Sequence, residues 1–216
     1  MNPLQLSIAL LVCLSVAGRC AQADETAVVR LDTSSLTGWE SKSFKGTTTY
    51  RIVQEGGRSV IQAHSTATAS GLIRKVNLDP NRFRYLHWSW KIAQTIDKGD
   101  EKTKAGDDYA ARVYVIFPGR FFWQTRAVNY IWANHLPKGE AIANAFTANA
   151  MMVAVESGPE KAGQWLNEVR DVLADYRRLF GEDPREIGAI AIMTDSDNTG
   201  TEATGWYADI SISSVR

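Results

Sequence analysis

The sequence predicts a mainly β protein, an antiparallel β-sandwich with one amphipathic helix near residues 164–180. Three observations predict it. Apolar and polar residues alternate with period two over most of the chain. The alternating runs are short and are separated by clusters of Gly, Asp, Asn and Pro, the punctuation of a sandwich rather than of a helical bundle. Helical spacing occurs in one place only.

The first 23 residues read as an export signal. From Leu4 to Val16 the chain is apolar apart from Gln5 and Ser7, too short for a permanent membrane anchor, and it runs into the small-x-small cleavage site Ala21-Gln22-Ala23. The mature chain is then 24–216, with no further segment apolar enough to span a bilayer. Its address is the periplasm or the exterior after cleavage near Ala23. Strands follow at 28–31, 48–53, 59–64 and 72–78. Leu86, Trp88, Trp90 and Ile92 alternate with Tyr85, His87, Ser89 and Lys91; Tyr109, Ala111, Val113, Val115 and Phe117 alternate with Ala110, Arg112, Tyr114 and Ile116. Both are strands through a core, and both Trp88 and Trp90 belong to it. The polar run 95–106 between them reads as a loose connection. Further strands are predicted at 127–132, 148–156, 187–194 and 206–213. The helix over 164–180 follows from the helical spacing of Trp165, Val169, Val172, Leu173, Tyr176, Leu179 and Phe180, with Gly181 as its stop.

Composition narrows the function classes. The 24 basic residues of the full chain balance 24 acidic ones, and loss of Arg19 with the signal leaves one excess negative charge, so nucleic acid is excluded as a partner and an anionic membrane is disfavoured. Both cysteines, Cys13 and Cys20, lie in the signal, so the mature chain has neither disulfide nor thiol chemistry and must be held by an ordinary core, for which one domain of about 190 residues suffices. There is no Gly-x-Ser-x-Gly elbow, no His-Glu-x-x-His helix and no Gly-rich phosphate loop. His64, His87 and His135 are isolated, which leaves a histidine-centred mechanism without support.

Several blocks carry a family resemblance: 85–91 with its Trp-Ser-Trp-Lys, 106–114, Tyr130-Ile131-Trp132, Trp165 with Glu168 and Arg170, Asp175-Tyr176, and 191–200. In this order they resemble the bacterial domain of unknown function 3047 family, over nearly all of the mature chain. More distantly the chain resembles the galactose-binding-like jelly rolls used by carbohydrate-binding modules, with Leu31-Asp32 and Gly38-Trp39 where such modules open and 207–210 where they close. That second resemblance implies a jelly-roll sandwich and a structural calcium to which Asp32 and Asp209 would contribute; Asp209 has an ordinary solvent-facing role as its alternative.

The acidic loop Asp195-Ser196-Asp197-Asn198-Thr199-Gly200 also bears on calcium. Asp195, Asp197 and Asn198 put hard oxygen ligands on one tight turn, spaced like the start of an EF-hand, but Trp206 stands where the bidentate glutamate belongs. The competing reading is a turn closed by its own Asp and Asn side chains.

Candidate ligand-binding residues fall into two groups. Asp107, Asp108 and Arg112 form either a clamp for sugar hydroxyls or an ion pair that holds the loop to the sheet, with Tyr114 on the same surface. The loop 119–126 places Phe121, Phe122 and Trp123 in a row between Arg120 and Arg126, a flat apolar surface for a sugar ring unless the rings fold into the core or meet a membrane. Asn129 and Tyr130 would line the same cleft. The expected function is a non-catalytic module for carbohydrate or another cell-envelope ligand. The alternatives are an envelope hydrolase or lyase working through carboxylates of the Asp107/Asp108 and Asp195/Asp197 loops, and a structural interaction domain.

Overall fold

A computed structural model describes residues 26–216; the expected export signal, its cleavage site and both cysteines lie outside the described residues. The elements in order are β1 (Val28–Arg30), β2 (Glu40–Lys45), β3 (Thr49–Glu55), β4 (Arg58–Thr66), β5 (Ala69–Leu78), β6 (Tyr85–Ile92), β7 (Arg112–Phe117), β8 (Arg126–Ala133), β9 (Ala141–Ala143), β10 (Ala150–Ser157), β11 (Leu166–Asp171), α1 (Val172–Phe180), β12 (Ile187–Asp195) and β13 (Glu202–Ser213). They form two sheets. The first runs β11-β6-β13-β4-β3, with β1 also on β13; the second runs β2-β5-β12-β7-β8-β10-β9. The mainly β sandwich expected from the alternation is the architecture observed.

Register explains which residues make the core. In the second sheet Leu72, Ile192, Val113, Tyr130 and Val153 stand side by side across five strands, so their side chains share one face. That face meets Leu86, Trp88, Trp90, Ile92, Tyr207 and Ile212 of the first sheet in one buried cluster. Trp88 stacks on Tyr130 with centroids 5.3 Å apart, and Trp90 lies 5.7 Å from Trp132. Buried rings of this size each stabilise a fold by about 3–5 kcal/mol, as judged by truncation to alanine. Tyr207 ties the layers together: its hydroxyl donates to the Met193 carbonyl at 2.6 Å and accepts from the Arg112 amide at 3.2 Å.

Two departures from the expectation have physical causes. The pair β8–β10 is parallel, the exception in ladders that are otherwise antiparallel. Residues 134–149 carry the chain back across the sheet end, and β9 pairs antiparallel on the outer edge of β10. Second, the helix occupies only 172–180. Residues 166–171 form β11, in which Leu166, Glu168 and Arg170 stand opposite Trp90, Trp88 and Leu86, and ladder bonds to the exposed edge of β6 outweigh helical spacing. Val169, counted in the helical stripe, is 38% exposed on the outer side. Asp171 ends the strand and caps the helix, accepting from the Ala174 amide at 3.0 Å, while Gly181 closes it in the left-handed conformation at φ 71°. Among the described residues no helix is long and apolar enough to cross a membrane.

Candidate functional site

The connection between β7 and β8 leaves the sheet at Pro118-Gly119 and returns at Arg126. Its tip is a single tight turn over Phe122–Gln124, closed by the Gln124 amide on the Phe121 carbonyl at 2.9 Å. Gly119 is required here, because any side chain on it would collide with Gln124 as the loop folds back. The aromatics face outward: Phe121 is 47% exposed, Phe122 85% and Trp123 58%. Phe121 and Trp123 stack with centroids 4.8 Å apart and planes 4° from parallel, while Phe122 stands edge-on to Trp123. Asn149 donates to the Trp123 carbonyl at 2.9 Å and pins the loop from the far side. These rings do not enter the core, so that reading of the loop falls.

Beside the stack lies an open groove of about 520 Å³, the size of a small-ligand site. Arg120, Trp123, Gln124 and Arg126 line it from the loop, Asn149 from before β10, Tyr176 from α1, and Glu182, Asp183 and Arg185 from the turn after the helix. Arg126 donates to Glu182 at 2.7 Å and lies over the Phe180 ring. Tyr176 also donates to Glu182, at 3.3 Å; burial, then the neighbouring carboxylate working against Arg126, leaves its hydroxyl harder to ionise than an ordinary tyrosine. Arg177 holds Asp183. The residues after the helix, together with Asn149, were not singled out from the sequence. Their nearest signal was the charged turn after the Gly181 stop, and nothing in it indicated that it would face a loop some 60 positions earlier.

The acidic residues make a separate cluster at the end of the second sheet. Asp108 is fully buried; it accepts from the Asn198 amide and side chain at 3.2 Å each and from the Thr199 amide at 2.6 Å. Asp107 accepts from Tyr109 at 3.0 Å and from Asn144 at 2.7 Å. Arg112, buried between the Tyr109 and Tyr114 rings, pairs with Asp195 and not with Asp108, because β7 begins only at Arg112 and the expected shared face does not extend to 108. Tyr114 is half-buried on the outer face of the sheet, between Ala191 and Asn129. Burial, then the charge of Asp108, raises the Asp197 carboxyl above the ordinary range.

Asp108, Asp195 and Asp197 bring one carboxylate oxygen each to within 4.8 Å of one another. The set does not fit calcium. Both oxygens of Asp108 already accept loop N–H groups, and Asp195 accepts the Tyr109 amide and is paired with the Arg112 guanidinium. Asn198 turns its side-chain N–H toward Asp108, so it too is a donor here. Asp32 and Asp209 lie outside this group. Asp32 is exposed and closes its own turn on Ser34 at 2.8 Å, and Asp209 is exposed on a strand bulge, paired with Arg58 and accepting from Ser89 at 2.9 Å. Tyr130 is a further correction. It is fully buried against Trp88 and donates to Asp175 at 3.0 Å, and its neighbour Asn129, on the opposite face of β8, is buried too and donates to the Met152 sulfur at 3.3 Å, so neither lines the groove.

A family model described as "Protein of unknown function (DUF3047)" matches residues 37–211. No curated protein matches the chain. Among solved structures, the chain is similar to the family 30 carbohydrate-binding module of a cellulosomal cellulase of Clostridium thermocellum, at 13% identity over 86% of this chain and 96% of that one with a TM-score of 0.47. It is also similar to a family 29 carbohydrate-binding module, at 12% identity over 88% and 86% of the two chains with a TM-score of 0.41.

Proposed function

Because the chain belongs to the DUF3047 family, whose function is unknown, its role has to be argued from its own residues, and we propose that it is an exported, non-catalytic binding module for carbohydrate. One observation carries this reading: the parallel Phe121–Trp123 stack, more than half of the indole in solvent, set at the rim of a groove with guanidinium and amide groups. A sugar ring offers an apolar face of C–H bonds to such a surface and a rim of hydroxyls to the polar groups around it. Exposed rings on a pinned loop cost solvation without contributing to the core, which favours a ligand as their reason.

The hydrolase alternative has less support. It needs a protonated and an ionised carboxyl facing one sugar across a cleft. The carboxylates of the buried cluster are held by Arg112, by loop amides and by Tyr109 and Asn144; the two in the groove are held by Arg126 and Arg177.

Binding to an array of envelope and plant glycans tests the proposal, with Trp123→Ala alongside. The expected result is a glycan signal that Trp123→Ala weakens at least about tenfold, in keeping with the ~1–3 kcal/mol carried by a stacked ring in a binding surface. Its exposed position predicts an unchanged melting temperature. A glycan signal that ignores the substitution would show that the stack is not the binding surface.

A further inference from the structure

We infer that the groove beside Trp123 selects anionic glycans, chains whose sugars carry carboxylates, rather than neutral ones. The inference rests on the binding reading above and adds the charge of the ligand. Of the charged groups lining the groove, Glu182 is taken up by Arg126 and Asp183 by Arg177, which approaches from the helix. Arg120 and Arg185 line the same groove, and among the described residues neither has a carboxylate within ion-pair distance. The acids of the groove are therefore spent and two of its cations are not.

Arg120 is also well placed. Its guanidinium lies 5.8 Å from the centre of the Phe121 ring, the partner of Trp123 in the stack. A sugar laid on these rings presents its substituents at the ring edge, and a carboxylate there meets a planar fork of donors that matches it in two-point geometry. The positive charge is local, since the chain as a whole is balanced at 24 basic and 24 acidic residues. A local pair of guanidiniums suits individual sugar carboxylates. Nucleic acid or an anionic bilayer is held by an extended basic face, which this balance does not provide.

The test compares oligogalacturonate and oligomannuronate with their methyl esters, which keep the sugar and remove the charge, by titration calorimetry at low and physiological salt. The acids should bind about tenfold or more tightly than the esters, with the difference shrinking as salt rises. Arg120→Gln with Arg185→Gln should abolish the difference between acid and ester, and Trp123→Ala should weaken acid and ester alike. Equal binding of acid and ester, or discrimination that survives the double substitution, overturns the anionic inference and leaves the stacking reading standing. If no saccharide of either kind binds, or if vesicles of anionic lipid bind in their place through the same rings, the inference falls together with the reading beneath it. Both arginines are exposed, so a melting curve confirms that the double variant is folded.

Discussion

Arg112 is the residue on which the buried end of the second sheet depends. It is 5% exposed, it pairs with Asp195, and Asp108 and Asp197 complete a trio of carboxylates within 4.8 Å. Removing one partner of a buried pair strands the other, which costs about 3–5 kcal/mol. Arg112→Met should therefore lower the stability measured in urea by that order, and since the guanidinium holds Asp195 and loop amides hold Asp108, a chelator should leave the melting temperature of the unchanged protein where it was. A melting temperature that drops in chelator would assign the charge balance to a metal. This trio was only half legible. Asp195 and Asp197 stood out as a loop motif, but their third member, Asp108, arrives from 87 positions earlier in sequence through strand pairing. Trp123 and Arg120 were legible because three consecutive aromatics between a Pro-Gly and an Arg have no strand partner to satisfy. Asn129 and Tyr130 were misread because both faces of β8 are covered, one by Met152 and the other by Trp88.

At the scale of elements, the junction between β11 and α1 rests on Asp171. Its side chain caps the helix and receives the Arg84 guanidinium; burial alone would raise its carboxyl, but these bonds outweigh burial and hold it below the ordinary value of 3.8. An acid held low in the folded state stabilises the fold above its unfolded value and loses that contribution as the pH falls through the lower folded one. Asp171→Ala should cost about 1–2 kcal/mol at neutral pH, and the gap between variant and parent should close as the pH is taken below 3.8. A gap that persists in acid would assign the loss to packing. The strands of the core were legible from alternation. The strand β11 was not, because Trp165, Val169 and Val172 fit a helix as well as Leu166, Glu168 and Arg170 fit a ladder, and only the presence of an open β6 edge decides between them. The segment 95–106, read as loose, is tied down by buried Glu101, which accepts the amides of His135 and Leu136 at 3.2 Å each, a long-range contact that no local pattern announces.

For the molecule as a whole, the class was legible and the topology was not, since alternation names a buried face without naming the neighbour across the ladder. The order of strands has its own testable side. The ends of the described chain meet, with Val28 opposite Ser213 and the Ser214 amide on the Ala27 carbonyl at 2.9 Å, while the turn at Gly56-Gly57 is exposed with both residues at positive φ. A circular permutant opened at that turn and joined at the ends should keep the parent's strand-rich circular dichroism and cooperative melt, whereas a permutant opened within β12 should lose them. Strand β13 lies in the middle of the first sheet and pairs with β1, β4 and β6, all of which precede it in the chain. At ~5–20 residues per second, the stretch from the end of β6 at Ile92 to the start of β13 at Glu202 takes on the order of five to twenty seconds to synthesise. Through that interval the facing edges of β4 and β6 stand open with their shared central partner still unmade, so the first sheet closes only after the second has been synthesised.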